Sequence, residues 1–213
     1  MQFNTQQFRF TNIISTFTLQ MTKFHYRKAV QSLNLLASWQ GGELNKMKAL
    51  KLLWLADRYH LRQYGRTILN DKYVAMENGP VASITRDILQ SNAIGAGHDA
   101  VNYAAEYLAP AKSKWFYSTI NAPNEKVFSK TDLEVLALIN NTYGHLDQFQ
   151  LRDLTHSFPE WKRWEEGILQ KKYKLHPMDY NDFFINVNDD YKLFADNEKI
   201  TELTKKIFSR QPE

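Results

Sequence analysis

The sequence predicts a mostly α domain of the α+β class: a compact set of helices packed round one central apolar helix, with a small antiparallel β-sheet or hairpin beside it. Three observations carry this. In residues 44–63, Met47, Ala49, Leu50, Leu53, Trp54 and Leu61 share one broad arc of a helical projection, too wide for a helix that packs on one side only. Two short stretches read as strands, 72–77 from its weak alternation and 115–120 from its aromatic and β-branched residues, enough for a minor sheet and too little for an all-β fold. Capping residues, Gly and Pro punctuate the second half of the chain closely, as short helices joined by tight turns require.

In chain order, the first helix spans 23–39, where Tyr26, Val30, Leu33 and Ala37 recur at helical spacing and Gly41-Gly42 stop it. The central helix over 44–63 ends at Tyr64-Gly65, with Gly65 placed as a left-handed cap. A strand over 72–77 runs into Gly79-Pro80, read as a turn. A third helix over 82–91 turns Ile84 and Ile88 inward, and 92–110, with Gly95, Gly97 and Pro110, reads as loop with one short helix at 101–107. The second strand, 115–120, is expected to pair with 72–77. Thr131-Asp132-Leu133-Glu134 reads as a capping box opening a helix to Tyr143. Asp147 with Gln150 caps a short helix to His156, and Ser157-Phe158-Pro159-Glu160 caps another that carries Trp161 and Trp164. A short helix over 177–186 and a last one over 197–210, with Ile200, Leu203 and Ile207 on one face, complete the order.

Residues 23–213 are expected to form one domain, since no linker or repeat interrupts them. Residues 1–22 read as an N-terminal extension, either the product of an upstream, non-native start or an added strand: one base, Arg9, no acid, and Phe8, Phe10, Ile13 and Phe17 suited to strand pairing. Met21 is expected near the usual start of such a domain. With 43% hydrophobic and 14% aromatic residues the chain can bury a substantial core, which excludes a wholly disordered protein. Zero Cys excludes disulfides, thiolate metal sites and a cysteine nucleophile, and agrees with a cytoplasmic setting. No apolar run reaches the roughly 18 residues a spanning helix needs, so no membrane partner is expected. A net charge of +4 permits an acidic protein or a nucleic acid as partner without demanding either.

Asp57 falls inside the apolar arc, where a carboxylate must be hydrogen-bonded or paired. Backbone amides, a nearby cation or a Tyr such as Tyr64 are its expected donors, and a catalytic acid or base is the sharper alternative. Asp57 and His60 at i and i+3 offer two ligands to a metal, with a third required from elsewhere; no metal or other cofactor is expected. His156 is placed to close the turn that follows it. No phosphate loop, dinucleotide fingerprint or nucleophile elbow occurs, so the chain is read as a non-enzyme. The strongest surface signal is the stripe Lys48, Lys51, Arg58 and Arg62, with Tyr59 beside it as an amphipathic anchor, against the alternative of a merely solvated face. Lys171-Lys172-Tyr173-Lys174 forms a second basic cluster, while 179–198 carries six acids against Lys192. Trp161 and Trp164, three apart, are core residues or, if exposed, interface anchors. No helix-turn-helix with a basic recognition helix stands out.

The run Lys51-Leu52-Leu53-Trp54-Leu55-Ala56-Asp57, then Tyr64-Gly65, then Gly79-Pro80-Val81, resembles the Panacea (SocA-like) domain of antitoxins from bacterial and phage toxin–antitoxin pairs. Leu154-Thr155-His156 with Pro159-Glu160-Trp161 is similar to the family's second half, so the resemblance covers residues 23–170 and is strongest over 44–88. It implies a protein that binds a cognate toxin, encoded by an adjacent gene, and holds it inactive. The resemblance also allows an adaptor that delivers the toxin to a protease, while the basic stripe and a pI near 9.1 offer a nucleic-acid-binding transcriptional regulator as the alternative. The matching residues Asp57, Tyr64, Gly65, Gly79, Pro80 and His156 look structural, positioning a surface formed by Lys48, Lys51, Arg58, Tyr59, Arg62, Trp161 and Trp164.

Overall fold

The computed structural model describes residues 24–187, 192–195 and 198–210; the expected N-terminal extension lies outside them. Helix α1 (Tyr26–Trp39) leads through strand β1 (Glu43–Asn45) into α2 (Lys46–Tyr64). The Asn45 side chain caps α2 by accepting from the Met47 and Lys48 amides. Gly65 closes it in the left-handed conformation, φ +70°, where a side chain would be strained. Between Ala49 and Arg62 every residue of α2 except Tyr59 is buried, so the broad apolar arc does mark a helix enclosed on all sides.

The enclosure comes from both halves of the chain. Strands β2 (Tyr73–Met76) and β3 (Gly79–Ala82) form a hairpin over α2, followed by α3 (Ser83–Leu89), α4 (Ala93–Ala96), α5 (His98–Ala105), β4 (Leu108–Pro110) and β5 (Phe116–Thr119). Then come α6 (Lys130–Tyr143), α7 (Gln148–His156), α8 (Pro159–Lys162), α9 (Glu165–Leu169), β6 (Leu175–Pro177), a 3-10 turn at Tyr180–Phe184 and α10 (Glu198–Phe208). Helices α6, α7 and α10 and strand β3 pack directly on α2. The domain is therefore mostly α, with two small antiparallel sheets among the described residues.

The strand pairing differs from the expectation. The stretches at 72–77 and 115–120 lie in separate sheets, ordered β3-β2-β6 and β1-β5-β4. The central helix expected over 44–63 takes in Leu44 and Asn45, which instead belong to β1, the partner of β5. The tight turn is Glu77-Asn78, so Pro80 lies in a strand opposite Ala75; β3 is a sheet edge, where a residue without an N–H is tolerated. Two caps also shift. Ser129, not Thr131, caps α6, in a box with Asp132. Phe158 precedes α8 without a side-chain cap, and α8 ends before Trp164, which instead precedes α9. The box of Asp147 and Gln150 on α7 is as expected.

The core centres on Trp54, whose ring meets Phe158 at 5.0 Å and Phe183 at 6.0 Å, both edge-on. Phe194 closes on Phe158 from the other side at 5.2 Å. The C-terminal segment thus fills the same core as α2.

Candidate partner-binding site

The structure places Asp57 at the end of a fixed set of donors. Its carboxylate accepts from the Ile68 amide (2.7 Å), the Leu69 amide (3.1 Å) and the Tyr73 hydroxyl (2.7 Å). It ties α2 to the chain entering β2, a structural task. Burial pushes its pKa up to about 7, against the pull of these donors. Tyr64 is not among them: it is 42% exposed and leans on the His60 ring at 4.6 Å.

His60 faces elsewhere, with Nδ1 at 2.8 Å from the Arg66 carbonyl and Nε2 near Thr131 and Asp132. Asp132 also receives Lys28 at 2.6 Å, Arg66 at 2.8 Å and the Ser129 amide at 3.0 Å. Burial opposes its ionisation, but these donors hold its pKa below the usual carboxylate range. Asp57 and His60 are therefore not brought together. Among the described residues, no cluster of three or more His, Cys, Asp or Glu is placed to hold a metal.

The basic stripe of α2 is not a surface. Lys51, Arg58 and Arg62 are 1%, 0% and 0% exposed. Each reaches an acceptor supplied by a remote segment, because a buried cation without one is prohibitive. Lys51 Nζ donates to the Pro80 carbonyl at 2.5 Å, and burial pushes its pKa well down. Arg58 pairs with Glu160 at 2.5 Å and donates to the Ile185 carbonyl at 2.7 Å. Arg62 donates to the carbonyls of Phe183 (3.0 Å) and Ile185 (3.1 Å) and to Asn186 Oδ1 (2.5 Å). Lys48 is half-buried on Gln40 Oε1 and the Gly144 carbonyl. Tyr59 is half-buried, edge-on to Phe194 at 6.1 Å.

The tryptophans are not free anchors either. Trp161 is fully buried, donates from Nε1 to the Met76 carbonyl at 2.8 Å and stacks on His156 at 3.6 Å. Trp164 is half-buried and stacks on His176 at 3.3 Å. His156 does not close its turn through a ring nitrogen: Nε2 is buried without a hydrogen-bond partner. Burial, then the Lys51 and Arg152 cations, push its pKa down to about 4. Gly79 explains the crowding. Its φ is +93°, and a Cβ there would stand 2.9 Å from Lys51 Nζ and 3.0 Å from Thr155 Oγ1, so both backbone and space demand glycine.

What α2 and the hairpin do present is a groove of about 620 Å³. Met47 and Leu50 of α2, Met76 and Val81 of the hairpin, Leu89 of α3 and Ile168 of α9 make it apolar. Around them stand Lys46, Arg86, Lys114, Lys171 and Lys174, with Glu77 as the acid on this wall. A second hollow of about 370 Å³ shares Lys46, Met47, Asn78 and Trp115 with the first and extends it to Phe149. Trp115 and Phe149 are 64% and 51% exposed. Trp115 is held in place by its carbonyl, which accepts from the Lys46 amide at 2.8 Å. Sequence reasoning found the cluster around Lys171 and Lys174 but missed Lys46, Met47, Lys114, Trp115 and Phe149. The adjacent Lys114 and Trp115 were the available signal, obscured by reading Trp115 into the strand.

The family model described as antitoxin SocA-like, Panacea domain, matches residues 50–162, just over half of the chain. The chain belongs to the Panacea family. The matched span runs from α2 through the hairpin to Trp161 in α8, so the Panacea core includes Asp57, Gly65, Gly79 and Glu160. Lys46, Met47, Ile168, Lys171 and Lys174 of the groove lie outside it. No curated protein and no solved structure matches the chain.

Proposed function

We propose that this Panacea protein is the antitoxin of a toxin–antitoxin pair and neutralises its toxin, the product of an adjacent gene, by direct protein–protein binding and without chemistry of its own. The family match over residues 50–162 carries this reading. Two features of the chain support it. The buried carboxylates of Asp57, Asp132 and Glu160 are committed to structural hydrogen bonds and ion pairs. The groove beside the hairpin offers the apolar centre and polar rim of a protein-binding surface. The regulator reading drew on the basic stripe of α2, whose cations are largely turned inward.

The test is a colony count. The neighbouring open reading frame is expressed in bacteria with and without this chain. Growth arrest relieved by the chain, together with co-purification of the two products, is expected. Toxicity that the chain leaves untouched overturns the proposal.

A further inference from the structure

We propose that the groove beside the β2–β3 hairpin receives a short linear segment of the partner protein, in which apolar side chains are flanked by Asp or Glu. The partner's identity as a toxin rests on the antitoxin reading; the chemistry of the segment rests on the groove.

Charge is the first argument. Lys114, Lys171 and Lys174 are exposed and Lys46 is half-buried. Among the described residues, none of these four has a carboxylate within ion-pair distance. Arg86, on the same wall, is paired with Asp87 at 3.0 Å. The groove therefore concentrates positive charge that the chain itself does not neutralise.

The helix beneath adds to it. The first turn of α2 contains no acid and carries Lys46, which lines the groove; Lys48 beside it is held by Gln40 and the Gly144 carbonyl. The N-terminal end of a helix is the positive end of its dipole, where acids are the favoured residues and lysines are destabilising. A sequence that sets cations there gives up local stability, and such departures concentrate at functional sites.

The apolar lining selects the class of partner. Met47, Leu50, Met76, Val81, Leu89 and Ile168 give the groove an apolar floor that suits apolar side chains better than a phosphate backbone, and Glu77 on the wall disfavours phosphate, although Asn78 and Gln90 also line it. A peptide with apolar side chains would bury them on methionine and leucine, residues that adapt to irregular shapes. A volume of about 620 Å³ is that of a small-ligand site, enough for a few side chains. Trp115, standing where the two hollows meet, is the exposed aromatic on which such a segment would anchor. The chain's own residues 1–22 contain no acid and do not complement this rim.

The test uses the full chain and needs no knowledge of the toxin. Random linear peptides displayed on phage are selected against it. Recovered peptides are expected to be rich in Asp or Glu next to Leu, Phe or Met. They should bind the double variant Lys114→Glu/Lys174→Glu about tenfold more weakly, and lose affinity to Met47→Asp. Both rim lysines are exposed, so the double variant reports on binding with the fold intact, which circular dichroism verifies. Selected peptides that are basic or uncharged, peptides that bind the double variant as well as the wild type, or no selected peptide at all would overturn the inference. So would displacement of the peptides by a single-stranded oligonucleotide, which would assign the groove to nucleic acid. The colony count stands apart: relief of toxicity by the double variant at wild-type levels removes the groove and keeps the antitoxin, whereas failure of the wild type removes the antitoxin reading alone.

Discussion

Gly79 meets two demands at once, a positive φ and the Lys51 ammonium passing over it. Gly79→Ala is expected to cost about 2–3 kcal/mol, from the strained backbone and the overpacking together. A urea midpoint unchanged from wild type would mean that Lys51 moves aside freely. Asp57→Leu should cost more, because the Ile68 and Leu69 amides and the Tyr73 hydroxyl would all lose their acceptor, at about 1–3 kcal/mol for each buried group. Loss of soluble folded protein is the expected result; partner binding lost with the melting temperature intact would show Asp57 to be a contact instead. His156 gives a pH signature. Its pKa is lowered from 6.5 to about 4 by burial and by the Lys51 and Arg152 cations, so the unfolded chain takes up a proton that the folded one refuses. Its contribution is complete above the unfolded value and is lost as pH falls from 6.5 toward 4. Asp57 and Asp71, raised to about 7 and about 6 by burial, act in the opposite sense and lose stability as pH rises through those values. The net curve mixes both trends, but the difference between wild type and His156→Phe isolates one. Thermal melts should show the variant gaining on the wild type between about pH 7 and about pH 4.5; a constant difference would mean that His156 titrates normally.

At the scale of elements, α2 was the most legible part of the chain. Its width of apolar arc announced enclosure, and Asp57 within that arc announced a bonded carboxylate. Gly65 was legible for the same reason, as a stop signal with one conformation available. The basic stripe was misread because a helical projection shows which residues share a direction, not what stands in that direction. The acceptors for Arg62 come from Phe183, Ile185 and Asn186, and nothing local reveals a carbonyl more than a hundred positions away. The small sheets were misassigned for a related reason. Three-residue strands such as β1 and β6 fall below the length at which alternation can be read, so pairing could not be deduced. The Asn45 cap that separates β1 from α2 is itself testable. Asn45→Ala should cost about 1 kcal/mol, read as a lowered urea midpoint; no change would mean that water replaces the side chain at the Met47 and Lys48 amides.

The molecule as a whole closes only with its C-terminal segment. The family match ends at residue 162, yet Phe183 and Phe194 are fully buried against Trp54 and Phe158. Removing a buried phenylalanine costs about 3–5 kcal/mol, and a domain holds about 5–15 kcal/mol in all. A chain ended after residue 178 is therefore expected to lose its cooperative melt altogether. A truncated chain that melts cooperatively near the wild-type temperature would show that the first 178 residues complete their own core.

Arg58 and Arg62 reach from α2 to the carbonyls of residues 183 and 185, and Glu160 answers Arg58. This mutual grip constrains how such proteins can diversify. A recombinant that joins this α2 to another tail must return main-chain carbonyls to the places where those of residues 183 and 185 meet the two guanidinium groups. Exchanges between homologues are therefore expected to fold best when the junction falls outside the circuit of Arg58, Arg62, Glu160 and the tail they hold.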